Sequence, residues 1–395
     1  MKTGLRSVVC VLLLLSLAGC STIKGWFQID DEDDLTRPAE LQDIDESVDI
    51  ERLWSKGIGD GQGEGFYHIR PVLAGDVIYI ASADGEVVSL DRMSGKKHWE
   101  AEFDSGLSAG VGAYEDSLFV GTSDGSVLRL NAQDGTEIWR SELSGEILAP
   151  PQSDGRVVVT QTYDGKLVGL DYSSGDKLWT YDSNMPVLTV RGTSTPIVHS
   201  GLAFAGFANG RVLAIRTDTG ATVWEVRVAI SQGRSEIERI VDIDGTMDLA
   251  ASNLYVASYN GRIMAIDAAS GRKLWQQNVS SYSGVSSGFG NVYVADEDGT
   301  LTAYQRDGQG ARWVQSDLAY RDLSRPTPVS SYVAVADFEG IVHLLSQVDG
   351  SFVGRIRVDS DGVRADMVSD GSILYVYSNS GDLAAYEITP LDDED

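Results

Sequence analysis

The sequence predicts an all-β protein: an eight-bladed β-propeller of four-stranded antiparallel blades, with the ring closed by an N-terminal strand. Three observations predict it. An apolar strand, Asp-Gly or Asn-Gly, a second strand, another glycine turn and a Trp recur along the chain. In six copies the Trp stands fourteen residues after the turn glycine: Gly85 and Trp99, Gly125 and Trp139, Gly165 and Trp179, Gly210 and Trp224, Gly261 and Trp275, Gly299 and Trp313. Two weaker copies follow at Gly340 and Gly381, and successive glycines are 40, 40, 45, 51, 38, 41 and 41 residues apart. A repeat of about forty residues carrying four short strands is the unit of a propeller blade.

Each element of the repeat has a physical reason. Asp84-Gly85, Asp124-Gly125 and Asn209-Gly210 suit two-residue turns with positive φ, which join strands with the right twist. The strands alternate around them, as in residues 77–80 before the first turn and 87–90 after it. A second hairpin turns at Ser94-Gly95, Asp134-Gly135, Ser174-Gly175, Thr219-Gly220 and Ser270-Gly271. The Trp opens the outermost strand, where a large ring can cover the seam between blades. Pro71, Pro151, Pro196 and Pro326 each precede their turn glycine by fourteen residues, at the start of the innermost strand, where a missing N–H breaks no ladder bond. The eighth copy reaches the C-terminal end before its Trp strand. Residues 48–54 carry a spare Trp, so this segment is expected to complete the last blade and leave no open edge.

The N-terminal residues predict an address. Lys2 and Arg6 precede the apolar run 8–15, which is too short to span a bilayer and ends at Leu17-Ala18-Gly19-Cys20. This ending resembles a bacterial lipobox, in which Cys20 carries the lipid, and Ser21 after it resembles the sorting signal for the outer membrane. The domains are therefore read as a signal peptide at 1–19, the lipidated Cys20 with an acidic flexible tether at 20–47, the propeller at 48–390 and an acidic tail at 391–395. Cys10 leaves with the signal, so the mature chain has no thiol to spare for a disulfide. A net charge of −28 argues against nucleic acid, whose binding rests on Lys and Arg neutralising phosphates.

Motifs that suggest chemistry fail on context. Gly-x-Ser-x-Gly occurs around Ser108 and Ser286, but both copies open a blade, where a hydrolase elbow would need a strand, turn and helix. The glycines from Gly57 to Gly65 fit no phosphate-binding pattern and are read as a flexible loop. Three Asp-x-Asp-Gly strings lack the remaining ligands of a calcium loop. His68, His98, His199 and His343 have no zinc spacing. No catalytic residue, metal site or cofactor is expected.

The Asp-Gly, Ala-Leu-Asp, Thr-Gly and Trp pattern resembles the repeat of quinoprotein dehydrogenases. That resemblance implies the fold; those enzymes add a calcium site, a catalytic Asp and often a vicinal disulfide, for which this chain offers no matching residues. A quinone binder of that kind, or a propeller holding an envelope ligand in its axial funnel, is the alternative function.

Departures from the period mark what the ring itself does not need. The fourth and fifth units arrive late, after residues 184–192 and 228–244. In repeat proteins such insertions fall in loops on one face, often the binding face. A short helical turn is expected within the second. Leu188 and Val190 alternate and could present an apolar patch, and Arg191 can make bidentate hydrogen bonds. Asp242 and Asp244 could accept N–H groups from an added strand, or orient Arg191 from the next blade. With its lipobox, acidic tether and non-catalytic propeller, the chain is similar to the BamB family of outer membrane β-barrel assembly lipoproteins. In that family a Leu-x-Leu-Arg motif and an Asp-x-Asp motif engage the POTRA domains of BamA. The resemblance places the first on Leu188, Val190 and Arg191, with Val190 where the family has a second Leu, and the second on Asp242 and Asp244. It implies a scaffold at the periplasmic face of the outer membrane that helps fold and insert barrel proteins. Its partners would be BamA, the machinery's other lipoproteins and unfolded barrel proteins.

Overall fold

The computed structural model describes residues 36–65 and 67–391 of the 395. The signal peptide, Cys20 and the run Asp30–Asp34 lie outside the described residues, as does the tail beyond Leu391. The described chain folds into eight antiparallel sheets of four strands each. Blades 1 to 7 are built from consecutive strands and span residues 72–102, 112–142, 152–182, 197–227, 248–278, 285–315 and 327–357.

Blade 8 joins the two ends of the chain. Its strands Val368–Asp370, Ile373–Tyr377 and Asp382–Pro390 are completed on the outside by Val48–Gly57. The register runs antiparallel from Val48 opposite Pro390 to Gly57 opposite Asp382, with a bulge between Arg52 and Trp54. The expected closure by an N-terminal strand is therefore the observed one. Pro71, Pro151, Pro196 and Pro326 each sit immediately before the first strand of a blade. These first strands neighbour one another from blade to blade, which places them around the axis.

The core is distributed between blades. Clusters of buried side chains alternate around the ring, such as Phe119, Trp139 and Val168 between blades 2 and 3 or Phe204, Trp224 and Met264 between blades 4 and 5. The Trp residues join each blade to the next. A Cβ on Gly135 would fall 2.7 Å from the Trp99 ring, and its φ of 74° is one that glycine alone adopts freely. Trp54, Trp139, Trp179, Trp224, Trp275 and Trp313 cover a glycine of the following blade in the same way. Each of these seven indoles donates Nε1–H to a carbonyl of that blade at 2.7–3.2 Å. A buried indole needs such a partner.

The seam between blades 7 and 8 has no Trp. Gly354 occupies the Trp position there, and a Cβ on it would fall 2.7 Å from Val48 Cγ2, with Ile50 beside it. Val48 and Ile50 fill the space that a ring fills elsewhere. This substitution has a cause: the outer strand of blade 8 arrives from the other end of the chain, so blade 8 has no second-hairpin glycine for a ring to cover.

Two segments differ from their expected freedom. The chain is docked from Ala39 onward, inside the stretch expected to be flexible tether. Ala39 N–H donates to Ala319 O at 2.8 Å, Arg321 to Ala39 O at 3.0 Å, and Arg355 to Gln42 O at 2.5 Å. Leu41 packs on the cluster around Trp313 and Leu323. The glycine-rich loop 57–65 is also packed: buried Gln62 exchanges hydrogen bonds with the Ile69 backbone at 2.7 and 2.8 Å. Both Gly-x-Ser-x-Gly serines are buried, and Ser108 donates to Ile147 O at 2.6 Å.

Candidate functional site

The two interrupting loops lie side by side. The first, between blades 3 and 4, carries Val187 with 95 % of its surface exposed and Leu188 with 42 %. The second, between blades 4 and 5, contains the expected helical turn as a single 3-10 turn, Ile237–Arg239, and exposes Ile230 and Ile237.

The loops are tied together at their bases. Val190 N–H donates to Asp242 Oδ2 at 2.5 Å across 52 residues of sequence. Ser194 Oγ donates to Gly245 O at 3.1 Å, and a Cβ on Gly192 would fall 3.0 Å from Asp244 Cβ. Asp242 is only 1 % exposed, and its Oδ1 and the Oδ2 of Asp244 are buried without a hydrogen-bond partner. Burial accordingly pushes the Asp242 carboxyl up to about 7. Asp244 is raised well above the usual carboxylate range, first by burial and then by the charge of Asp242. A buried carboxylate without a cation keeps its proton.

Arg191 is not held by the Asp pair, one of the two roles expected of those carboxylates. Its Nη2 donates to both oxygens of Glu146, each at 2.9 Å. The guanidinium lies 5.7 Å from the ring centres of both Tyr67 and Tyr163, within cation–π range. Glu146, Arg191 and Asp242 occupy one repeat position in three successive units, each nineteen residues before its turn glycine. That shared spacing is the sequence signal from which Glu146 could have been found. Tyr67 and Tyr163 carry no such signal, because only the ring geometry brings them to Arg191.

Arg191 and Val190 also face inward. They line an axial cavity of about 620 Å³ together with Tyr282, Arg325, Phe338 and Asp366 from the opposite side of the ring. Leu188 therefore points outward while Val190 belongs to the wall of the channel. Among the described residues no group of three or more His, Cys, Asp or Glu side chains is arranged to hold a metal ion.

Comparison with known proteins places this architecture. A family model described as outer membrane protein assembly factor BamB matches residues 41–108 and 83–315. The outer membrane protein assembly factor BamB of Pseudomonas aeruginosa is 52 % identical over 383 residues, covering 97 % of this chain and 99 % of that one. The protein of the same name from Xanthomonas campestris is 34 % identical over 395 residues, covering 97 % of each chain. The crystal structure of BamB from Moraxella catarrhalis superposes with a TM-score of 0.77 at 28 % identity, covering 86 % of this chain and 99 % of that one. A quinohemoprotein alcohol dehydrogenase from Pseudomonas putida shares the ring with a TM-score of 0.70 but only 15 % identity, covering 87 % and 77 %, a likeness of fold alone. By sequence and by fold, this chain belongs to the BamB family of outer membrane protein assembly factors.

Proposed function

We propose that this chain is a non-catalytic scaffold of the outer membrane β-barrel assembly machinery. It is anchored by lipid on Cys20 at the periplasmic face and binds the POTRA domains of BamA. Leu188, Val190, Arg191, Asp242 and Asp244 form the docking patch, supported by Glu146. One observation carries the reading: the two departures from the blade period, distant in sequence, share the bond from Val190 N–H to Asp242 and together expose Val187, Leu188, Ile230 and Ile237. A regular ring has no need of either loop. Their rigid bases and apolar tips suit a surface that buries a partner without first having to order itself.

The five residues divide the work. Leu188 offers apolar area, and Arg191, clamped by Glu146 between two tyrosine rings, offers an oriented guanidinium. Asp242 and Asp244 hold the loops in place from beneath, with Val190 as the link. The machinery's other lipoproteins and unfolded barrel proteins are further partners of the same scaffold.

Titration of the purified protein against the POTRA fragment of BamA tests this, with wild type beside Arg191→Glu and Leu188→Asp. Loss of a central hot spot costs ~2 kcal/mol or more, about thirtyfold in affinity. Loss of binding at an unchanged thermal midpoint supports the patch. Binding that survives both substitutions moves it elsewhere, and absence of binding by the wild type rejects the partner.

A further inference from the structure

The strands of each blade run up and down, so their ends alternate between two faces of the ring. The connections between blades share one face with the Asp-Gly turns, and Phe103 N–H donates to Gly85 O there at 3.0 Å. The other turns of a blade share the opposite face, where Arg92 N–H donates to Asp76 O at 3.0 Å. Leu188, Ile230 and Ile237 all stand on connections between blades, so the first face is the docking face.

Val48 begins on the opposite face. It pairs with Pro390, and Ile388 N–H donates at 2.9 Å to Ser372 O, in the turn between the first two strands of blade 8. A chain led straight out from Val48 would leave the ring on the side away from the docking loops. Residues 39–47 bring it back. Ser47 N–H donates to Val353 O at 2.9 Å, near the start of the outer strand of blade 7. Further along that strand, Arg355 donates to Gln42 O. Ala39 then bonds to Ala319 and Arg321, in the connection between blades 6 and 7. Leu41 and Ile44 are half-buried on the way, Leu41 in the cluster around Trp313. The segment closes no sheet, because Val48–Gly57 completes blade 8 without it. What it does is cross the rim, so that the chain leaves the ring at Ala39, on the docking face.

We propose that residues 39–47 are an orienting strap, which turns the docking face toward the lipid surface that holds the chain. The inference rests on the lipid at Cys20. From Cys20 to Pro38 there are eighteen peptide steps, which span at most ~65 Å in any conformation. With the strap released, the twenty-seven steps to Ser47 span up to ~97 Å and start from the opposite face. The strap therefore shortens the connection and moves its origin across the ring. An occupant of the docking loops is held on the bilayer side, where two attachments within reach of each other raise the effective concentration.

Energy transfer from a dye on the ring to acceptor lipids tests the strap. The full lipidated protein is placed in vesicles of phosphatidylethanolamine and phosphatidylglycerol. With Cys10 gone and Cys20 lipidated, one introduced thiol takes the dye. Ser123→Cys labels the docking face and Gln133→Cys the opposite face of the same blade, both at exposed positions. The two dyes differ in height by ~20 Å, the length of a six-residue strand. Transfer from position 123 should exceed transfer from position 133. Leu41→Asp, which expels the strap, should reverse that order. Ala39→Pro, which removes the bond to Ala319, gives the same readout should Leu41→Asp fail to fold. Equal transfer from the two positions overturns the proposal, and so does an order that both strap variants leave unchanged. Protein that does not float with the vesicles refutes the lipid anchor, and the orientation with it, while POTRA binding in solution stands or falls separately.

Discussion

Val190 gives its main-chain N–H to Asp242 Oδ2, and through that bond a loop entering blade 4 is braced by a loop entering blade 5. Leu188, two residues earlier, is thereby held out in solvent on a fixed stem. The brace is a carboxyl group whose proton affinity folding changes, so it should register pH.

The sign follows from the direction in which folding moves the two carboxyls. Asp242 is raised to about 7 by burial, only the Val190 N–H lowering it, and Asp244 is raised with it. The unfolded carboxyls titrate near their ordinary values, so the folded state holds protons that the unfolded state releases. Their contribution is complete at about pH 4 and is lost as pH rises towards 7. Each tenfold difference in proton affinity between the folded and unfolded chain is worth about 1.4 kcal/mol. Asp242→Asn keeps an acceptor for Val190 and removes the titration. Its thermal midpoint relative to wild type should therefore be near parity at pH 4 and rise steadily to pH 7. Carboxylates held low, such as Asp124 beside the Thr122 hydroxyl, are common to both proteins and cancel. A difference that is flat across this range would remove Asp242 as a titrating brace.

Glu146→Gln tests whether the Glu146 carboxylate positions Arg191. The pair is partly exposed, so the thermal midpoint should move little, in line with ~0.2–1 kcal/mol for such pairs. Affinity for the POTRA fragment should fall severalfold, because the guanidinium is then fixed only by Tyr67 and Tyr163. A rise in affinity would show instead that Glu146 competes with the partner for Arg191.

Opposite substitutions at equivalent seam positions should both destabilise. Trp139→Ala removes a ring that covers Gly175 and hydrogen-bonds Tyr172 O, and should cost about 3–5 kcal/mol by denaturant unfolding. Gly354→Trp restores the repeat's consensus but drives a ring into Val48 and Ile50, and should cost about 1–3 kcal/mol rather than stabilise. Stabilisation by Gly354→Trp would mean that Val48 and Ile50 do not fill this seam.

Arg321 links the docked N-terminal segment to a buried network. It bonds Asp337 at 2.7 Å and Glu339 at 2.5 Å, while His343 Nε2 lies 3.1 Å from the same Asp337 oxygen. Arg321→Met strands Asp337 without its cation, at a cost of about 3–5 kcal/mol. It also removes the donor to Ala39 O. Limited proteolysis read by mass spectrometry should trim wild type no further than Ala39 and the variant into residues 40–47. Identical trimming would show that the segment is held by Leu41 and the backbone bonds alone.

The ring was legible in the sequence because every copy repeats the same local chemistry. Asp-Gly turns, prolines at strand starts and Trp at a fixed offset each have a local reason, and they agree. The closing strand was legible from the unpaired Trp54 and the truncated last copy. Less could be read where distance in sequence hides neighbourhood. The interrupted loops gave Leu188, Arg191 and the Asp pair, but not that Glu146 takes Arg191 or that Tyr67, beyond the Gly57–Gly65 loop, reaches it. That loop looked free because glycine runs usually are, yet Gln62 supplies donor and acceptor to one buried residue and fixes it. The docked residues 39–47 were obscured by their acidic composition; their anchors are backbone carbonyls and one Leu, which composition does not weight.

Closure of blade 8 also sets an order of events. The pairing of Val48 with Pro390 joins strands on either side of the seven other blades, and Leu391 N–H returns to Ser47 O at 3.0 Å. Seven sheets can form as soon as their own thirty or so residues are available, but the eighth, begun at Val48, must wait for residues 368–390. Such long-range closure is slow, and until it occurs Val48–Gly57 and the edge of Asp382–Pro390 are both unpaired strands. Newly made chains are thus most open to mispairing at the very place where the finished ring has no loose end.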